Sequence, residues 1–154
     1  MNETGGYHLE DLTVGLSAQF MKTLSERDVL QFASASGDHN PVHLDEEYAR
    51  QTQFGERIAH GMLSASIISA AIAMRLPGPG SIYISQTLMF RRPVKIGETV
   101  RATVTVKAIH ADRGRATLAT ICEVNGRVVL EGEAVVMPTS SLPMLERIGA
   151  SRRS

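Results

Sequence analysis

A single cysteine, Cys122, is the chain's whole complement of thiols. One thiol excludes an intramolecular disulfide and any cysteine-based zinc site. Its place inside an apolar, strand-like run reads as a buried, inert side chain. Excess charge is equally absent: sixteen basic and sixteen acidic side chains cancel. Bulk electrostatics therefore supply no argument for nucleic acid or an anionic membrane as partner. No apolar stretch reaches the roughly twenty residues needed to span a bilayer. Met1 to His8 carry neither a basic n-region nor an apolar h-region, so a cytoplasmic protein is the expectation. There is no internal repeat. The composition that remains, 43% hydrophobic and 21% charged over 154 residues, is that of one globular domain able to bury a real core.

Against this plain background one stretch stands out. Ser36-Gly37-Asp38-His39-Asn40-Pro41-Val42-His43 places an acid and a histidine five residues apart. Pro41 fixes its own φ and disfavours a helical conformation for Asn40, so the two cannot ride one continuous helix. They belong to a shaped loop. Asn40 is suited to hold it through its amide, as asparagine does in turns. Seventeen residues after His43, His60-Gly61-Met62-Leu63 opens a segment of different character.

The coarse element pattern follows from periodicity. Val14 to Thr23 contains a short strand. Ser25, with Asp28 in the capping-box position, starts a helix from Glu26 to about Ser34, ended by Gly37. Asp45 caps a second short helix through Arg50. From Gly61 to Met74 apolar residues cover every face, which predicts a buried helix, stopped by Pro77-Gly78-Pro79-Gly80. Thereafter the period is two: in Thr99 to Ile109 the even positions Val100, Ala102, Val104, Val106 and Ala108 are apolar and the odd ones polar, a half-exposed strand. Ser81 to Phe90, Arg115 to Val124 and Arg127 to Val136 are further strands, and Asn125-Gly126 signals a type I′ hairpin. The economical packing is α+β, a curved antiparallel sheet wrapped around the apolar helix. A free sheet edge makes a homodimer the expected assembly. Residues 9–138 form the expected domain. Residues 1–8 and 139–154 are expected to be loosely ordered.

The motif Ser36 to His43 with Ala49 after it, joined by His60-Gly61-Met62-Leu63, Pro77 to Tyr83 and Gly132-Glu133-Ala134, resembles the MaoC-like (R)-specific enoyl-CoA hydratases. The resemblance runs from about Leu9 to Pro138. It is nearest to the short bacterial form that supplies polyhydroxyalkanoate synthesis; where larger members carry an aromatic residue before the Gly-Asp, this chain has Ser34-Ala35. It implies a hot-dog fold and reversible syn hydration of a trans-2-enoyl-CoA to a (3R)-3-hydroxyacyl-CoA. Asp38 and His43 would bind one water, one acting as base toward it while the other supplies or relays a proton. Gly61, at the helix start, would offer its N–H to the thioester carbonyl. Asn40 and Ser69 are supporting residues.

No cofactor beyond the CoA of the substrate is expected, and no metal. His39, His43 and His60 lack a helical His-pair motif with a helper glutamate. His39, His8 and His110 read as structural or surface residues, His60 as a loop-holding one. Arg91, Arg92 and Lys95 are either solvated strand-end charges or part of a phosphate-facing cluster for a CoA or acyl-carrier-protein thioester. Two other functions compete. A hot-dog thioesterase would use a carboxylate, commonly on the central helix, and Gly61 to Met74 contain none. A non-catalytic acyl-thioester binding module would have no need of Asp38, His43 and Gly61 together.

Overall fold

A computed structural model of the chain describes residues 1–143, 146 and 149. Strand β1 (Ser17–Thr23) leads into helix α1 (Glu26–Ser36). Ser25 caps α1 reciprocally: its hydroxyl accepts the Asp28 N–H at 3.1 Å, and the Asp28 carboxylate accepts the Ser25 N–H at 2.9 Å. Gly37 ends the helix in the left-handed region, at φ 82°, a conformation that glycine adopts without a Cβ clash. Val29 and Ala33 enter the core, while Leu30 remains exposed.

Two short helices follow, α2 (Pro41–Leu44) and α3 (Glu46–Arg50), and then α4 (Gly61–Met74). The sequence pattern places His43 on a loop; the structure places it on the single turn of α2. Proline at the first helical position is pre-set for that turn, and Asn40 Oδ1 accepts the Val42 N–H at 3.3 Å to cap it. Strands β2 (Ile82–Gln86), β3 (Met89–Phe90), β4 (Thr99–His110), β5 (Arg115–Val124) and β6 (Arg127–Met137) complete the chain.

The named strands pair antiparallel, in the order β1-β4-β5-β6-β2, with β3 also on β6. The long meander β4-β5-β6 curves over one side of α4. Val100, Ala102, Val104 and Val106 of β4 are fully buried, with Leu118 of β5 and Ile68, Ala71 and Ile72 of α4 in the same core. The even-numbered alternation of β4 therefore does what its period implies, until a register shift between Val106 and Ala108 interrupts it. Asn125 and Gly126 both adopt positive φ, 51° and 78°, in the two-residue turn between β5 and β6. Cys122 is buried in this core and its thiol is pushed up to about 12 by desolvation.

Two expectations need correction. The run Ser81 to Phe90 is not one strand. It breaks at Thr87-Leu88, where the Thr87 carbonyl lies 1.8 Å from the place a Cβ on Gly132 would occupy, a close approach only glycine allows. The helix α4 is also not covered on every side. Met62 and Met74 are 56% and 61% exposed, and Ser66, Ser69 and Ala73 are exposed with them. A sheet one layer thick covers one face of a helix, and the other face is left open beside β2, whose Ile82, Tyr83 and Ile84 are also exposed.

The chain start, expected to be loose, is instead tied in. Asn2 Nδ2 donates to the Pro79 carbonyl at 2.7 Å, the Tyr7 N–H to Pro77 at 2.7 Å, and the Leu9 N–H to Thr139 at 2.8 Å. Ser140 and Ser141 hydrogen-bond the Glu10 carboxylate. The Ser151-Arg152-Arg153-Ser154 end of the expected loose tail lies outside the described residues. Among the described residues no helix is long and apolar enough to cross a membrane.

Candidate active site

The site is assembled from the two ends of the segment between α1 and α4. Asp38 follows the left-handed Gly37, in an exposed turn. Its N–H donates to Ser36 Oγ at 3.1 Å, and its Oδ1 accepts the Asn40 N–H at 3.2 Å. Asn40 thus uses its main chain to hold Asp38 and its side chain to cap the turn that carries His43. His43 is 8% exposed. Its Nδ1–H donates to the Ile58 carbonyl at 2.8 Å, which leaves Nε2 as the basic nitrogen of the ring. The Arg57 Nε–H donates to the His43 carbonyl at 2.7 Å, and Arg57 itself pairs with Glu26.

His60 joins the two. Its Nε2–H donates to the Asp38 main-chain carbonyl at 2.9 Å, and its ring stacks on His43 with centroids 4.0 Å apart. Asp38, His43 and His60 each bring a ligand-type atom within 4.8 Å of the others. Both imidazoles have one nitrogen committed to a main-chain carbonyl. Burial holds the His43 pKa below the ordinary histidine value of 6.5; the Ile58 hydrogen bond opposes the shift, the neighbouring His60 adds to it, and Asp38 opposes it. Burial of this kind favours the neutral form of the ring.

Gly61 is the first residue of α4. Its N–H is among the helix-start donors that no intrahelical carbonyl satisfies, at the positive end of the dipole. A Cβ on Gly61 would lie 2.9 Å from Cε1 of Phe90, so glycine is what lets the ring of β3 close against the helix start. A cavity of about 290 Å³ opens here, lined by His43, Phe54, Gly61, Ser64, Phe90 and Arg92 among others. It is mostly apolar, with a base and a backbone donor converging on it.

Sequence reasoning thus places Asp38, Asn40, His43 and Gly61 in one locality, and the structure brings all four there. It does not bring Ser69. That residue lies roughly 12 Å further along the helix axis, on the exposed face, in a separate groove with Met62, Tyr83 and Gln86. Ser64, Phe54 and Phe90 are wall residues that no periodicity marks. The glycine at 61 was the one hint of a close neighbour. Of the cationic trio, Arg91 pairs with Glu131 and Lys95 with Glu56. Arg92 donates to the Val128 carbonyl, and both Arg91 and Arg92 line the cavity. His39 is exposed, with Nδ1 at 3.1 Å from the Gly37 carbonyl; His8 meets Thr139 and His110 meets Thr117.

A curved antiparallel sheet cupping an apolar helix, with Asp38 and His43 gathered around His60 at the helix start, defines a hot-dog protein. The chain belongs to the family of the MaoC like domain, whose model matches residues 13–126. It is similar to the (R)-specific enoyl-CoA hydratase of Rhodospirillum rubrum, at 53% identity over 85% of this chain and 91% of the relative. Among solved structures it resembles the unliganded R-hydratase PhaJ1 of Pseudomonas aeruginosa, with TM-score 0.84, 47% identity and 88% of each chain covered. It also resembles the (R)-hydratase of Aeromonas caviae involved in PHA biosynthesis, with TM-score 0.81, 42% identity, 84% of this chain and 98% of that one covered.

Proposed function

We propose that this chain is an (R)-specific 2-enoyl-CoA hydratase, adding water reversibly to trans-2-enoyl-CoA to give (3R)-3-hydroxyacyl-CoA. The observation that carries the reading is that Asp38 and His43 bring side-chain atoms within 4.8 Å of one another, while His43 and Gly61 line one cavity. Hydration needs a water activated at C3, a proton delivered to C2, and a donor for the thioester oxygen as enolate character develops. Asp38 and His43 hold the water between them. One takes its proton as the C3–O bond forms, and the pair returns a proton to C2 as the C2=C3 π bond breaks. Gly61 supplies the oxygen donor. Atoms balance with no cofactor beyond the CoA of the substrate, and the same steps reversed dehydrate the hydroxyacyl thioester.

The apolar lining of the cavity suits an acyl thioester, and Arg92 at its wall suits the phosphates of CoA or of an acyl-carrier-protein arm. The open face of α4 beside β2 supports a homodimer, in which a second copy covers both. The absence of any membrane-crossing helix among the described residues is consistent with the cytoplasmic location we propose. Crotonyl-CoA with the purified protein tests the function. Loss of the conjugated-thioester absorbance without free thiol, abolished by Asp38→Asn and by His43→Ala, is the expected result. Thiol release in its place would make the protein a thioesterase; binding without turnover would make it an acyl-thioester binding module. A predominantly 3S product would overturn the stereochemical assignment.

A further inference from the structure

His60 is 1% exposed, touches both members of the pair, and takes no part in the steps above. Two ordinary reasons for a histidine there fail. It is the N-cap residue of α4, yet its side chain makes no capping hydrogen bond. As a space-filler against Phe32, whose ring centroid is 4.8 Å away, it is a poor choice. Its Nδ1 is buried without a hydrogen-bond partner, a penalty that phenylalanine or leucine would avoid. What histidine adds is the single N–H that reaches the Asp38 carbonyl.

That contact matters because Asp38 is otherwise tied only locally. Its other hydrogen bonds, among the described residues, are to Ser36 and Asn40, each two residues away. His43 is held from the same side, by the Ile58 carbonyl. The strap from Ile58 to Gly61 is itself anchored: Ile58 N–H donates to Val42 at 3.3 Å and Ala59 N–H to Val94 at 2.7 Å. One short strap therefore touches the acid through His60 and the base through Ile58, and presents the Gly61 N–H directly after them.

We propose that His60 is a positioning residue of the hydratase. Its hydrogen bond to the Asp38 carbonyl, and its ring laid against His43 at 4.0 Å and 31°, set the distance and orientation between carboxylate and imidazole. This rests on Asp38 and His43 being the acid–base pair. The charged and titratable groups around His43 are Asp38, His60, and Arg57 at its main-chain carbonyl with Glu26 paired behind.

Two variants and one spectrum test it. His60→Phe keeps the ring and the packing and removes the donor. It is expected to lower kcat for crotonyl-CoA roughly 10²-fold, as a displacement of about 1 Å does, with KM held within about threefold. Removing the second imidazole also lets His43 accept a proton at higher pH, so the limb of kcat/KM that follows the His43 resonances moves upward. His60→Gln restores a donor of similar reach and is expected to recover kcat to within about tenfold of the parent without restoring that limb. Nitrogen-15 spectra of the unaltered protein are expected to show His60 with its hydrogen on Nε2, a readout that does not require any variant to fold. An Nδ1–H tautomer, parental kcat in a folded His60→Phe, or losses in both variants that only track the unfolded fraction would each overturn the proposal. Retention of hydration by Asp38→Asn and His43→Ala would instead remove the acid–base pair itself. Loss in those two with full activity in His60→Phe removes the role of His60 alone.

Discussion

The meander β4-β5-β6 and the segment from Gly37 to Gly61 are built on opposite principles. The meander consists of strands of 12, 10 and 11 residues whose ladders and alternating side chains repeat the same instruction many times. The segment holds two helices of four and five residues, and each of its functional atoms is placed by one or two hydrogen bonds. Redundancy makes the meander a source of stability; the lack of it makes the segment a device for aiming side chains. A substitution in the first should change how much protein is folded. One in the second should change what the folded protein does.

The sharpest way to break that division is at Asp38 and His43. Asp38→Asn or His43→Ala is expected to lower kcat about 10³-fold, while the melting temperature barely moves for the exposed Asp38. A parallel collapse of stability in Asp38→Asn would merge the two regions into one. Leu118→Ala, at a fully buried position of the meander, is expected to cost about 3 kcal/mol of unfolding free energy. Denaturant titration measures this, and kcat per folded molecule should be unchanged at low temperature. Asn40→Ala sits on the boundary. Removing the cap of α2 is expected to cost about 1 kcal/mol and, because the same turn carries His43, to lower kcat as well; stability loss alone would show that the turn holds without its cap.

The smallest expected effect is in pH. The folded His43 pKa lies below 6.5, chiefly from burial, so the unfolded chain binds the extra proton more readily than the folded one. Its contribution to stability is present above 6.5 and is lost as pH falls toward the folded value. The acid limb of kcat/KM is expected below pH 6.5 for the same reason; a limb above it would mean that another group titrates in the pair's place.

The same contrast decides what was legible in the sequence. Val100 to Val106 announce their burial by period, and Ser25, Gly37 and Asn125-Gly126 announce caps and a hairpin, because each is a local rule acting on adjacent residues. The Asp38-to-His43 spacing was legible as chemistry. Its helical turn was not, since Pro41 both forbids a helix before it and begins one after it. The break in Ser81 to Phe90 depends on Gly132, more than forty residues away, and no window around Thr87 contains that information. The sequence marks His60 as a loop-holding residue, but the Asp38 carbonyl that it holds is likewise distant in sequence. The apolar run of α4 encoded hydrophobicity on every side but not the number of layers available to cover it.

That half-covered helix has a thermodynamic consequence. An α4 with Met62 and Met74 in water, beside a bare β2, has part of its folding free energy still to be released by whatever surface it meets. In the homodimer proposed above a second copy would supply that surface; association and folding would then be one equilibrium, and protein concentration would enter the melting temperature. Dilution would then act on this molecule as a mild denaturant.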